Sequence, residues 1–357
     1  MPTLNELRQK QSLPLEYKVA LTEKRILEYV SEYGTNGVYI SFSGGKDSTV
    51  LLHIARSILP DIEAVFVDTG LEYPEIRKFV HTFDNVTIIH PKMRFDQVIS
   101  KYGYPLISKQ VSDALHYAKS NISSGKTTRR LLSLTGNNIR KSGKQSIYNY
   151  ERYKPLIDVD FRISAKCCDV MKKSPGKSFQ QSNDTHIITA QMASESTMRT
   201  TTWLQFGCNS FNAKHPFSNP MSFWTEQDVL HYIYKYHIPI ASVYGEIISE
   251  FELSNLKRLK LFDDNSNINS IYEYCSLCTT GCRRTGCFAC LYGMHLEKGE
   301  TRLQRMKTTH PKLYHYCIEG GEYDSDGMWK PNKNGLGYRH VCDEVNKIYG
   351  EDFLRYK

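Results

Sequence analysis

Long hydrophobic runs are missing from this sequence. No stretch approaches the roughly 20 consecutive apolar residues of a membrane span, so no segment reads as a transmembrane helix and no membrane partner is expected. The opening residues, Met1-Pro2-Thr3-Leu4-Asn5-Glu6, lack the basic-then-apolar pattern of a secretory signal, and a cytoplasmic location is expected. Internal repeats are absent, which sets aside a solenoid. Acidic residues are nearly missing from one region. From Lys109 to Lys154 ten Lys or Arg stand against Asp113 and Glu151 alone, so this stretch carries the whole net charge of +8. A localised excess of that kind suggests an anionic partner, although a solvated basic face explains it equally well. Cysteine is plentiful, and ten cysteines in a cytoplasmic chain point to metal or redox chemistry rather than to disulfides.

The stretch around which the rest is organised is Ser43-Gly44-Gly45-Lys46-Asp47-Ser48. A β-prone Val38-Tyr39-Ile40 precedes it. An amphipathic run follows, apolar at 50, 51, 54, 55 and 58, which predicts strand, tight loop and helix. Adjacent glycines let backbone N–H groups approach an anion, and the helix N-terminus directs partial positive charge to the same place. Lys46 adds a full charge, and Ser43 and Ser48 add hydroxyl donors. The loop suits a phosphate, pyrophosphate or sulfate. It is not the G-x-x-x-x-G-K-[ST] loop of P-loop NTPases, because no glycine stands five residues before Gly45. The hexapeptide resembles the SGGKDS signature of the PP-loop ATP pyrophosphatase superfamily, which includes adenylyl-sulfate and phosphoadenylyl-sulfate (PAPS) reductases and nucleic-acid thiolation enzymes.

Residues 1–36 read as helical. Two further strands, Ile62–Asp68 and Val86–His90, flank a helix from Pro74 to about Phe83. Alternating strands and helices predict an α/β fold with a parallel sheet covered on both faces. Ligands bind such sheets at the carboxyl ends of strands, which places Asp68 near the loop, with Phe66 and Val67, as a frame for adenine and ribose. A turn cap is the plainer role for Asp68. Residues 94–118 read as helix. The basic stretch 109–154 reads as an insertion, with Tyr148, Tyr150 and Tyr153 beside Arg152 and Lys154 in a pattern compatible with single-stranded nucleic acid. His186–Ala190 reads as a buried strand. After it, Glu195 and Arg199 stand at i and i+4, where Arg199 suits a second phosphate or sulfate and a plain surface ion pair is the alternative. Thr225 and Asp228 frame a helix start. Residues 257–270 read as a loop, 301–318 as a basic helix, 320–337 as an irregular loop, and a short helix closes the chain. The divisions drawn are an N-terminal helical segment 1–36, a nucleotide-binding domain 37–250 with the insertion 109–154, and a cysteine-rich C-terminal region 251–357.

Two cysteine groups stand out: Cys167-Cys168, and Cys275, Cys278, Cys282, Cys287 and Cys290, five within sixteen residues. Cys275, Cys278, Cys287 and Cys290 could hold zinc as two C-x2-C pairs, though the gap between the pairs is short for a zinc ribbon. Iron–sulfur clusters also take four thiolates. Adjacent cysteines are awkward for one zinc ion but can reach two corners of a larger cluster. Cys208, Cys317 and Cys342 read as buried structural thiols.

Cys167-Cys168-Asp169-Val170-Met171-Lys172-Lys173-Ser174-Pro175 resembles the CC-x-x-x-K-x-x-P segment of adenylyl-sulfate reductases. In those enzymes that pair and a later C-x2-C pair, matched here by Cys287 and Cys290, ligate a 4Fe–4S cluster beside the nucleotide. The segment from Gln191 to Arg199 resembles their phosphate-binding segment, with Gln191, Met192 and Ala193 departing from the usual residues. Pro220–Tyr244 resembles a further block of the same families. The resemblance implies an adenine nucleotide alpha hydrolase-like PP-loop domain with a cysteine-rich C-terminal region. It implies ATP with Mg2+, or PAPS or adenylyl sulfate, on Ser43, Gly44, Gly45, Lys46, Asp47, Ser48, Asp68, Glu195 and Arg199. It further implies a cluster on Cys167, Cys168, Cys287 and Cys290, with Lys46 and Asp47 in catalysis. The reductases also carry a nucleophilic cysteine in an E-C-G-L-H-like tail, and no such sequence exists here. Cys278 or Cys282, beside Arg283 and Arg284, is the better-activated thiol and a candidate to carry a persulfide.

Three readings result. The first is ATP-dependent activation of an acceptor with pyrophosphate release, coupled to sulfur transfer from a donor protein, with nucleic acid as a candidate acceptor through 109–154. The second is reduction of PAPS or adenylyl sulfate to sulfite. The third is a non-catalytic nucleotide- or nucleic-acid-binding protein with structural zinc.

Overall fold

The computed structural model describes residues 2–250 and 275–357. The loop expected at 257–270 lies outside the described residues. The chain forms two compact units that interleave along the sequence. The first comprises Met1–Asp68, Glu72–Ile89 and Gly176–Thr285, and the second Thr69–Leu71, His90–Pro175 and Gly286–Lys357. The divisions drawn from sequence at 36 and 250 are consecutive, whereas these units each draw on three separate stretches of chain.

The first unit holds the α/β sheet. Its strands are β1 (Val38–Ser41), β2 (Ala64–Val67), β3 (Val86–Ile89), β5 (His186–Ile188), β6 (Asn209–Ser210) and β7 (Phe217–Ser218), in the order β3-β2-β1-β5-β7-β6. All pairings are parallel except the edge pair of β6 with β7. Val38, Tyr39 and Ile40 of β1 are buried, as expected for a strand covered on both faces. Strand order reverses at β1, which takes β2 on one side and β5 on the other, with Ile40 opposite both Ala64 and Ile188. The segments leaving β1 and β5 therefore emerge side by side at the carboxyl edge.

Helices α1 (Leu4–Gln11), α2 (Leu15–Tyr33), α3 (Lys46–Ile58), α4 (Pro74–Val80), α10 (Thr197–Phe206) and α11 (Glu226–Lys235) belong to the same unit. The core joins Ile26 and Tyr29 of α2, Val50, Leu51 and Ile54 of α3, and Trp224. Lys18 is buried and its ammonium lies 2.7 Å from Asp228 Oδ1, tying α2 to α11. Asp228 also accepts from the Thr225 backbone N–H at 2.7 Å, so the expected capping box is formed. The helix ends at Lys235, before His237, whose φ is +51°, and so stops short of Pro239.

The second unit is built on α5 (Phe95–Tyr102), α6 (Lys109–Ser123), α7 (Arg129–Leu134) and the pairing of β4 (Leu106–Ile107) with β10 (Leu291–Tyr292). The single helix expected over 94–118 is broken. Gly103 adopts φ +113°, and a Cβ there would run into the Arg162 backbone. Within the stretch expected as a basic insertion, 109–154, Val111, Ala114, Leu115 and Ala118 of α6 are buried. A three-residue turn of helix, α8 (Lys166–Cys168), is followed by a π-helical turn over Asp169–Lys173 and then by α9 (Ser174–Asn183), which from Gly176 onward belongs to the first unit. Towards the C-terminus the expected basic helix is two helices, α12 (Arg302–Thr309) and α13 (Pro311–Ile318), parted at Pro311, which supplies no N–H to continue the first. The expected irregular loop at 320–337 contains a hairpin, β11 (Glu322–Tyr323) with β12 (Trp329–Lys330). The closing helix α14 (Tyr338–Tyr349) buries Val341, Cys342 and Val345.

Candidate active site

The phosphate-type loop follows β1 as its residues require. Gly44 holds φ +69°, and a Cβ on it would meet Val80 Cγ2 at 2.7 Å and Ile76 Cγ2 at 2.9 Å, so α4 presses directly on the loop. Ser43 and Ser48 close it from within, their Oγ atoms 3.0 Å apart, while the Ser43 N–H donates to Ser48 Oγ at 3.2 Å. Helix α3 then begins at Lys46 with Gly45 as N-cap and no side-chain cap, which leaves the positive end of the helix facing the loop.

Lys46 is only 4% exposed, and its ammonium lies 2.5 Å from Glu226 Oε1 at the start of α11. Its backbone N–H donates to the Tyr244 hydroxyl at 3.3 Å, and that hydroxyl bonds Thr285 Oγ1 at 2.5 Å. Asp47 turns inward, with Oδ1 buried and without a hydrogen-bond partner. Burial pushes its carboxyl above the usual carboxylate range, while Lys46, Arg284 and Arg199 pull the other way.

Glu195 and Arg199 form the expected ion pair, though on a 3-10 turn (Ala193–Glu195) and the first turn of α10 rather than on one helix face. Ser196 caps α10 between them by accepting from the Arg199 N–H at 3.3 Å. Burial, then the neighbouring Arg284, lowers the Arg199 guanidinium from its ordinary value. Arg284 Nη1 lies 3.9 Å from Glu195 Oε1. Lys46, Arg199 and Arg284 thus all act on Asp47 at the mouth of the loop. Three cations and the start of a helix thus surround one buried carboxylate, with Glu226 paired to Lys46 and Glu195 to both arginines.

Asp68 follows β2 and is buried, with Arg77 Nη2 at 2.7 Å and Nε at 3.1 Å from Oδ2. It anchors α4, the helix that also presses on Gly44. Phe66 belongs to the core of the sheet, so the expected adenine frame of Phe66, Val67 and Asp68 loses its ring. Sequence reading missed Glu226, Tyr244 and Thr285 as neighbours of the loop, and it weighed Arg284 only as an activator of cysteines. These residues arrive from 180 to 240 positions away. The pair Arg283-Arg284 was the one local signal.

Cys278 and Cys282, read from sequence as the better-activated thiols, are 4% and 7% exposed. Cys278 lies in β9 (Leu277–Thr279), paired with β8 (Ile247–Ser249), and the Cys282 N–H donates to Val243 O at 2.9 Å. Burial raises the thiols of Cys208, Cys317 and Cys342, in keeping with structural roles.

Cys167, Cys168, Cys287 and Cys290 all belong to the second unit, whereas Cys275 and Cys278 of the alternative zinc set belong to the first. The sulfurs of Cys167 and Cys168 are 4.0 Å apart. The hydrogen bond between them draws the Cys168 thiol down to about 6, helped by Lys109 and Lys172, and pushes Cys167 up. Cys290 and Cys287 add to the rise at Cys167, so the four sulfurs are electrostatic neighbours. Arg302 Nη1 fastens the Cys287–Cys290 turn by donating to Cys290 O at 3.2 Å. Among the described residues, no three His, Cys, Asp or Glu side chains converge on one metal-ion position.

The family described as phosphoadenosine phosphosulfate reductase domain matches residues 37–112 and 126–292. Over 156 residues the chain is 24% identical to an uncharacterized protein of Methanocaldococcus jannaschii, a match covering 41% of this chain and 38% of that protein. It is 32% identical over 82 residues to a phosphoadenosine 5'-phosphosulfate reductase of Xylella fastidiosa (strain M23), covering 23% of this chain and 34% of that one. The chain thus spans little more than a third of the length of these curated relatives. A crystal structure of PAPS reductase from Candida auris, in its phosphate complex, aligns over 74% of this chain and 98% of that one at 12% identity and a TM-score of 0.36. That superposition is too loose to carry residue correspondences.

Proposed function

Because the chain belongs to the phosphoadenosine phosphosulfate reductase domain family, we propose that it is an enzyme that holds an adenine nucleotide by its phosphates and activates an acceptor for sulfur transfer. The observation carrying this reading is the gathering of Lys46, Arg199 and Arg284 on Asp47 at the uncapped start of α3. In the proposed reaction an acceptor oxygen attacks the α-phosphorus of ATP, a P–O bond forms to the acceptor, and the bond to the β-phosphate oxygen breaks. Pyrophosphate leaves with the electron pair. Lys46 and Arg199 would take the charge that develops on it, an interaction stronger in the transition state than before it. A sulfur donor then displaces AMP. Asp47, whose Oδ1 has no hydrogen-bond partner, would be the carboxylate to hold a nucleotide-bound Mg2+ or its water.

The donor set Cys167, Cys168, Cys287 and Cys290 fits a 4Fe–4S group in type and number, and adjacent sulfurs suit a cluster better than one tetrahedral ion. Bound there, such a cluster would supply a polarising, redox-capable centre.

Reduction of PAPS or adenylyl sulfate is the second reading, favoured by the family match. It needs a reachable thiolate to attack sulfur. Outside the four-thiol group, Cys208, Cys278, Cys282, Cys317 and Cys342 are buried, and Cys275 alone is half-buried. The two readings separate in one anaerobic experiment, with ATP and nucleic-acid acceptors in one arm and PAPS or adenylyl sulfate plus thioredoxin in the other. Acceptor-dependent pyrophosphate release is expected. Robust thioredoxin-dependent sulfite would replace the first reading by the second.

A further inference from the structure

Between Asp113 and Glu151 the chain carries seven Lys or Arg and no Asp or Glu. The structure sorts these cations into two kinds. Arg130 is committed, because it pairs with Asp113 and its guanidinium lies 4.9 Å from the centre of the Tyr117 ring. Arg152, just beyond Glu151, is likewise committed, lying over Tyr349 and Phe353. Arg140, Lys141 and Lys144 differ. They form the tip of a tight β-turn in which the Arg140 N–H donates to Lys144 O at 2.8 Å and the Gly143 N–H to Arg140 O at 2.9 Å. Ile139 and Gln145 pair across its base. All three cations are exposed, and none has an ion-pair partner among the described residues.

The turn is fastened from below. Asn138 Nδ2 donates to Ser133 Oγ of α7 at 2.9 Å, the Ser146 N–H to Asn138 O at 2.8 Å, and the Tyr150 N–H to Ser133 O at 2.7 Å. Three like charges are thus held within five residues against their own repulsion, with no acid ion-paired to them among the described residues. Beside them Ile139, Ile147 and Tyr148 are 62%, 74% and 54% exposed. Cations for phosphates and an open aromatic face for a base are the two halves of single-strand recognition. Two isoleucines offer little apolar area for insertion into a lipid surface, and a purely acidic protein partner leaves the aromatic face without a use.

We propose that the turn 139–148 is a contact site for single-stranded nucleic acid, with Arg140, Lys141 and Lys144 on phosphates and Tyr148 stacked on a base. This site is independent of the nucleotide loop.

The test is fluorescence anisotropy of the full chain with labelled 20-nucleotide single-stranded DNA and RNA between about 50 and 200 mM salt. The triple variant Arg140→Ala/Lys141→Ala/Lys144→Ala should bind at least about tenfold more weakly at low salt, and its log–log salt slope should fall by roughly 2, at ~0.7 per phosphate contact. Tyr148→Ala should weaken binding by about 5- to 150-fold with the slope unchanged. Circular dichroism and ATP calorimetry on the same variants should match the parent protein, which separates this site from the nucleotide reading. Absent binding at low salt, a triple variant that binds as the parent does, or preferential capture by phosphatidylserine vesicles would each overturn the proposal.

Discussion

At the scale of single residues, Glu226 and an arriving phosphate are rivals for the Lys46 ammonium. The ammonium sits 2.5 Å from a carboxylate that is 43% exposed, and an arriving phosphate must take the ammonium over. A charge-assisted contact is worth ~1.5–3 kcal/mol, so Lys46→Ala should weaken ATP binding by about 10- to 150-fold. Glu226→Gln should act in the opposite direction. Removing a half-exposed competitor is worth up to ~1 kcal/mol, or about fivefold tighter binding. Isothermal titration of both variants checks the pair, and equal weakening by the two would show that Glu226 helps to hold the ligand. Lys46 was legible in the sequence because the glycines around it have a local reason to exist. Glu226 was not, because its place beside Lys46 depends on how α11 packs, and nothing within 180 residues of Lys46 announces that.

At the scale of elements, the turn after β9 is the part that sequence reasoning assigned differently. It was singled out for Cys278 and Cys282, which are buried, and what it delivers instead are Arg284 and Thr285. Its path is narrow. A Cβ on Gly281 would come within 2.8 Å of the Tyr244 carbonyl carbon. Tyr244 bonds both the Lys46 N–H and Thr285, so Gly281→Ala should push the turn away from the loop without altering any ligand-facing side chain. A stability loss of about 1–3 kcal/mol, the usual cost of overpacking, together with weaker ATP binding, is expected in denaturant melts and calorimetry. An unchanged affinity would detach Arg284 from the site. Strands and the βα loop were legible because continuous apolar runs and paired glycines are local signals. The breaks at Gly103 and Pro311 were passed over because helical periodicity resumes on the far side of each. The hairpin at 322–330 was missed because its strands are two residues long.

At the scale of the whole molecule, the four cysteines read as one set from the family resemblance all fall in one compact unit, although 119 residues separate Cys168 from Cys287. Iron analysis of anaerobically purified protein should show loss of most iron in a Cys167→Ala/Cys168→Ala variant and little change in Cys275→Ala. Full iron retention in the double variant would discard the set. That grouping was legible only through resemblance. Spacing alone left zinc on Cys275, Cys278, Cys287 and Cys290 equally open, since a C-x2-C pair does not say which partner it will meet.

The reversal of strand order at β1 has a consequence for the order of synthesis. β1 is the innermost of the early strands, and its second neighbour, β5, leaves the ribosome about 150 residues later. At ~5–20 residues per second, roughly 8–30 seconds pass with one edge of β1 unpaired. During that interval an apolar strand edge is open to wrong partners, and of the residues made meanwhile, 90–175 belong to the other unit and supply it no strand. The arrangement that brings the loops after β1 and β5 side by side therefore also makes the nascent chain depend on protection until its own middle third has been made.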